Sequence, residues 1–167
     1  MKARARVLGH GVHPILIVFP LGMLGGSVAF DVVRIVTHGG EWATVTFWMI
    51  AAGLIGGVLA AVFGLVDWLA IPSNTRAKSV GLLHAAVNFG ALVLFFISWL
   101  IRLDARSTGI DAGMLPFLIS LAGLVLAVIG GWLGGELVER MGVSVYPDAN
   151  VNAPSSLRRK DSSRLAG

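Results

Sequence analysis

Four apolar runs, each longer than the roughly 20 residues that cross a bilayer, leave this 167-residue chain few folds to choose from. They extend over about 14–37, 44–70, 80–103 and 114–138. Hydrophobic residues make up 56% of the chain and charged residues 13%, against about 25% charged in an ordinary soluble domain. A core this small cannot hide that much apolar surface, so lipid must solvate it. Only short polar stretches separate the runs: 38–41, 73–79 and 104–113. Loops of that length force antiparallel neighbours and predict an all-α, up-down-up-down four-helix membrane bundle. Pro14 suits a first helical turn, and Pro20, inside the first run, predicts a kink. The organisation expected is a basic N-terminus (1–12), a transmembrane domain (13–145) and a disordered tail (146–167) rich in Pro, Asn, Ser and Arg.

Direction follows from the cations. Lys2, Arg4, Arg6, Arg76, Lys78, Arg140, Arg158, Arg159, Lys160 and Arg164 fall on one side of the membrane, and Arg34, Arg102 and Arg106 on the other. Positive charge stays inside, which places both termini in the cytoplasm. Lys2, Arg4 and Arg6 ahead of an apolar run also describe a signal peptide, with Ser27-Val28-Ala29 as its cleavage site. The run, however, is longer than the usual apolar segment of about 7–15 residues. The net charge of +4 reflects topology and not nucleic-acid binding, since no basic surface interleaved with aromatics occurs. The absence of cysteine excludes disulfides, thiolate metal sites and thiol nucleophiles.

Small residues recur four apart at Gly22 and Gly26, Gly53 and Gly57, Gly130 and Gly134, and Gly131 and Gly135. In lipid such faces let backbones approach closely. Tight packing within one chain is the simpler use, and a homo-oligomer the other.

At about 100° per residue, the third helix aligns His84, Asn88, Ala91, Phe95, Ser98 and Arg102. The first aligns His13, Ile17, Pro20, Leu24, Ser27 and Asp31, and the second carries Asp67 on its small-residue face. Polar side chains in a membrane turn toward the bundle interior. His13, Asp67, His84 and Glu136 all belong near the cytoplasmic ends of their helices, with His84 about 6 Å inside the third helix. Glu136 is off the stripe of Ser120, Gly123, Ala127 and Gly131, so only a distortion at Gly134-Gly135 would turn it inward.

Two imidazoles on facing helices suit haem b. With Asp67 they would suit a divalent metal, and imidazole with carboxylate is the minimum for a proton relay. The polar site is therefore His13 and His84 as cofactor or metal ligands, Asp67 as a third metal ligand, and Asn88 and Glu136 in support. Simpler uses compete: an interfacial helix start for His13, a satisfied core histidine for His84, and a snorkelling carboxylate beside Trp68 for Asp67. At the far end, Asp31 with Arg34 or Arg102 reads as a structural ion pair. No nucleotide, metalloprotease or serine-hydrolase motif occurs, and no constellation for catalysis by the chain itself is evident.

The stretches 13–20 (HPILIVFP), 64–68 (GLVDW), 81–84 (GLLH) with Asn88, and 131–137 (GWLGGEL) resemble the bacterial membrane proteins grouped as domain of unknown function 2231. The likeness runs from about Gly11 to Val145 and rests on four motifs in order. It implies a four-helix inner-membrane fold with no assigned activity, and it implies that His13, Pro20, Asp67, His84 and Glu136 belong to the family pattern. Many relatives carry a second His directly before the Phe-Pro, where this chain has Val18. An obligatory ligand there would make this chain an altered member.

The readings are a haem- or metal-binding component for electron or proton transfer, a structural or accessory partner of another membrane or redox subunit without cofactor, and a small carrier or channel. The topology is tested with a reporter fused after residue 167. A fluorescent protein that matures only in the cytoplasm should fluoresce there, and a periplasm-dependent phosphatase should stay inactive; the reverse pattern would overturn the assignment.

Overall fold

The computed structural model describes residues 3–109 and 111–157. Four helices in it are long and apolar enough to cross a membrane: Val12–Thr37, Glu41–Leu69, Arg76–Thr108 and Leu115–Arg140. The first is bent. α1 (Val12–Leu16) and α2 (Val18–Thr37) meet at Ile17, which keeps helical dihedrals. The break lies where Pro20 predicts it, because the proline ring offers no N–H to the Leu16 carbonyl and crowds it. Bonds from Ile17 N to His13 O (3.1 Å) and Leu21 N to Ile17 O (3.2 Å) carry the helix through the bend.

α3 (Glu41–Leu69) and α4 (Arg76–Thr108) are joined by a turn that Lys78 and Trp68 lock. Trp68 Nε1 donates to the Lys78 carbonyl at 3.1 Å, Lys78 Nζ donates to the Trp68 carbonyl at 2.8 Å, and the ammonium lies 3.9 Å from the indole centroid. α4 is longer than the run of hydrophobic residues implied. Thr75 caps its start by accepting from Lys78 N, and Gly109, at φ +71°, ends it in the left-handed conformation that glycine adopts without strain. At 33 residues it spans about 50 Å against a hydrocarbon thickness of about 30 Å, so its polar ends project beyond the lipid. α5 (Leu115–Gly135) starts with Pro116 in its first turn and closes in a π-helical turn, Glu136–Arg140.

α2 packs on α3 and α4 on α5, and α3–α4 and α2–α5 contacts complete the ring of an up-down-up-down bundle. The core is Leu24, Val28, Ile50 and Phe95. Large apolar side chains such as Val58, Phe89, Val128 and Trp132 stay exposed around it, as a lipid-facing surface requires. Glycines make the close approaches on the inner side: Gly57 against Leu92, Gly53 against Leu24, Gly123 against Phe95. Gly22, Gly131 and Gly135 meet nothing within 4 Å. Beyond Gly123, the inner stripe of α5 runs through Gly130 and Leu133 instead of the expected Gly131, because a 3.6-residue period drifts against steps of four.

Toward the far end, Asp31 and Arg102 are the expected ion pair, buried and bidentate at 3.0 and 2.6 Å. Ser98 Oγ accepts from Arg102 Nε (3.3 Å) and from Ser120 Oγ (2.8 Å) and donates to the Pro116 carbonyl (2.7 Å). Arg34 only flanks Asp31, at 3.8 Å.

The N-terminal segment has structure that its sequence did not suggest. β1 (Arg6–Val7) pairs antiparallel with β2 (His10–Gly11) around Leu8 and Gly9, both at positive φ, as a tight hairpin turn demands. Of the tail, residues through Leu157 are described and form turns; the remainder lies outside the described residues.

Removing one partner of the buried pair leaves a stranded charge. Asp31→Ala and Arg102→Met should each cost about 3–5 kcal/mol in reversible unfolding in mixed micelles, while the double variant Asp31→Leu/Arg102→Met should recover most of it.

Candidate functional site

His13 projects from α1 and His84 from α4, and their rings approach edge-to-face with centroids 6.2 Å apart. Each imidazole is held the same way. His13 Nδ1 lies 2.8 Å from the Ala60 carbonyl of α3, and His84 Nδ1 lies 2.8 Å from the Gly130 carbonyl of α5. A carbonyl only accepts, so Nδ1 is the donor in each contact and Nε2 is the ring nitrogen left over. Among the described residues neither Nε2 has a hydrogen-bond partner.

Glycines make room for the rings. A Cβ at Gly64 would lie 3.0 Å from the His13 ring, and one at Gly134 would lie 3.2 Å from the His84 ring. Asn88, one turn along α4, donates to the His84 carbonyl at 2.8 Å and fills the space over Gly130. Because α4 begins at Arg76, His84 lies about 12 Å along the helix from its start.

The two carboxylates have other partners. Asp67 is buried on the face of α3 that holds Gly64, one turn further on. Its Oδ1 accepts from the backbone amides of Arg4 (2.6 Å) and Ala5 (3.3 Å), while Oδ2 is buried without a hydrogen bond. Asp67 therefore fastens the N-terminal hairpin to the bundle. Val12 N to Ala5 O (2.9 Å), Tyr146 Oη to Gly9 O (2.9 Å) and Arg6 stacked 4.1 Å from the Tyr146 centroid complete the attachment. Glu136, in the π-turn, faces Arg76 at 3.5 Å and Arg140 at 3.9 Å. The helix is distorted just past Gly134-Gly135, and the carboxylate goes to these arginines at the rim. Among the described residues no three His, Asp or Glu side chains are grouped to hold a metal ion, so His13, His84 and Asp67 do not form a three-ligand set. The structure thus brings the two imidazoles and Asn88 together and leaves Asp67 and Glu136 outside that contact.

A family model described as "Predicted membrane protein (DUF2231)" matches residues 9–147. The chain belongs to the DUF2231 family. No curated protein and no solved structure matches it. The match covers all four membrane-spanning helices of this multi-pass protein, and both imidazoles and their carbonyl partners lie inside it. Val18, the position that the family likeness singled out for a second His, is 70% exposed. A histidine there would sit on the outer surface.

The carbonyls of Ala60 and Gly130 and the hairpin at Asp67 were not readable as site components, since any residue offers a carbonyl. The glycine cradles left one trace: Gly64 and Gly134 lie within the motifs that carry the family likeness.

Asp67→Ala should free the hairpin. Losing charge-assisted bonds worth about 1.5–3 kcal/mol predicts trypsin cleavage at Arg4 and Arg6 at least roughly tenfold faster, read by intact mass, with the helices unchanged by circular dichroism.

Proposed function

We propose that this DUF2231 protein holds a transition-metal centre, haem iron or a divalent ion, on Nε2 of His13 and His84 and serves electron or proton transfer in the bacterial inner membrane. The carrying observation is the matched pair of imidazoles, each with Nδ1 fixed on a backbone carbonyl and Nε2 unpartnered. Ligating histidines are ordinarily oriented by such a second bond, which sets the tautomer and raises the basicity of the ligating nitrogen. The spacing fits as well. Two imidazoles on one metal, with bonds of about 2.0–2.1 Å, have centroids separated by at most ~6.4 Å, and the pair stands at 6.2 Å. Two imidazole nitrogens would suit haem iron, and a bare ion would need further donors besides these two.

His13 and His84 would hold the group, which would supply one-electron chemistry if it is iron or copper. Asn88 braces the backbone at His84, and Ala60 and Gly130 keep both rings in the ligating tautomer. The hairpin is fastened at Asp67, one turn from the Gly64 that faces His13. The cation asymmetry supports a site toward the cytoplasmic face, with both termini cytoplasmic.

One observation favours a second reading. The same two ring-to-carbonyl bonds tie α1 to α3 and α4 to α5, which is what a cofactor-free accessory subunit would use to lock its bundle. The open faces at Gly131 and Gly135 would then serve contact with a partner subunit or a second copy.

Protein purified in mild detergent from haem-replete, metal-supplied cells should show a Soret band, or about one metal ion per chain by elemental analysis. His13→Ala and His84→Ala should each abolish it while leaving the helix content by circular dichroism unchanged. Colourless, metal-free wild-type protein, with both variants merely destabilised, would replace this reading with the accessory one.

A further inference from the structure

The opposite end of the bundle carries an open hollow of about 320 Å³ whose lining includes Arg34, Arg102, Arg106 and Asp111, with Ala43 and Gly109. It adjoins a second cavity of about 490 Å³ that shares Arg34, Ala43 and Asp111 and reaches His38. The three guanidiniums are not equally satisfied. Arg102 is neutralised by Asp31 through two short bonds. Arg34 is left with contacts of 3.8 Å to that same Asp31 and 3.9 Å to Asp111, both beyond hydrogen-bond reach. Its Nε is buried without a hydrogen bond, and the Asp111 side chain is 80% exposed and weakly held. Arg106 makes no ion pair among the described residues; it donates to Thr44 Oγ1 at 3.0 Å and lies 4.8 Å from the Phe47 centroid.

Arg34, with only two long ion pairs, and Arg106, with none among the described residues, thus border one hollow at the end of four membrane helices. Guanidiniums in such a pair bind phosphate by paired N–H···O bonds, and a partly enclosed site strengthens that attraction over its value in water. We propose that this hollow binds a phosphate-class anion, either inorganic phosphate or the phosphodiester of a lipid headgroup, with Arg34 and Arg106 as its charged ligands. Asp111 acts as the internal competitor that the anion displaces from Arg34. The site is separate from the imidazole pair and does not depend on what that pair holds.

The test is thermal unfolding of the full-length protein in a neutral maltoside detergent free of phosphate, at matched ionic strength. Inorganic phosphate is titrated in one arm and phosphatidylglycerol in mixed micelles in the other. The melting temperature should rise with added anion. A rise in the first arm identifies the free ion as sufficient, and a rise only in the second identifies the headgroup. Arg106→Gln, which loses only one peripheral bond and a ring contact, should weaken the half-saturating concentration at least tenfold. Asp111→Asn should tighten it. No rise in either arm, or a rise of wild-type size and midpoint in both Arg106→Gln and Arg34→Gln, overturns the proposal.

Discussion

Hydrocarbon supplies no hydrogen-bond partners, and that constraint governs where most polar groups of the described spans lie. The chain answers it in two ways. Backbone amides are consumed within helices, and polar side chains are turned inward and paired across the bundle. The Asp31–Arg102 pair with Ser98 and Ser120 is the fullest case: each member is buried, and each finds its partner on another helix or one turn away. The same rule places each imidazole on a carbonyl of a neighbouring helix.

Association of the helices depends on a second consequence of lipid. Apolar side chains gain nothing by leaving lipid for one another, so the bundle is held by close fit. Glycines on the inner faces of α3 and α5 accept Leu24, Leu92, Phe95, His13 and His84. The polar pair and the packing therefore form one arrangement: the glycine that admits an imidazole also brings the helix backbone near enough for the ring to reach a carbonyl. Buried ion pairs add little net stability, but they fix register, since only one rotation of α2 against α4 lets Asp31 meet Arg102 with two bonds.

The two ends of the bundle differ in character. One is closed by the hairpin fastened at Asp67 and by Glu136 between two arginines. The other is hollow and lined by arginines. The pair of imidazoles, each held through Nδ1 on a backbone carbonyl, lies nearer the first. Arg34 and Arg106, with long ion pairs or none among the described residues, lie at the second.

The sequence by itself determined the number of spans, their order, the all-α class and the inward direction of His84, Asp31 and Asp67. Apolar length and the 3.6-residue period are local properties that lipid enforces on each helix separately. The bend near Pro20 was legible for the same reason, being a matter of one missing N–H. Only the tertiary structure decided the partners. That Asp67 would serve the amides of Arg4 and Ala5, that Glu136 would turn to Arg76, and that two rings would meet at 6.2 Å depend on helix rotation and depth. Those follow from which glycine faces which side chain across the bundle, a relation between distant segments that no single helix encodes.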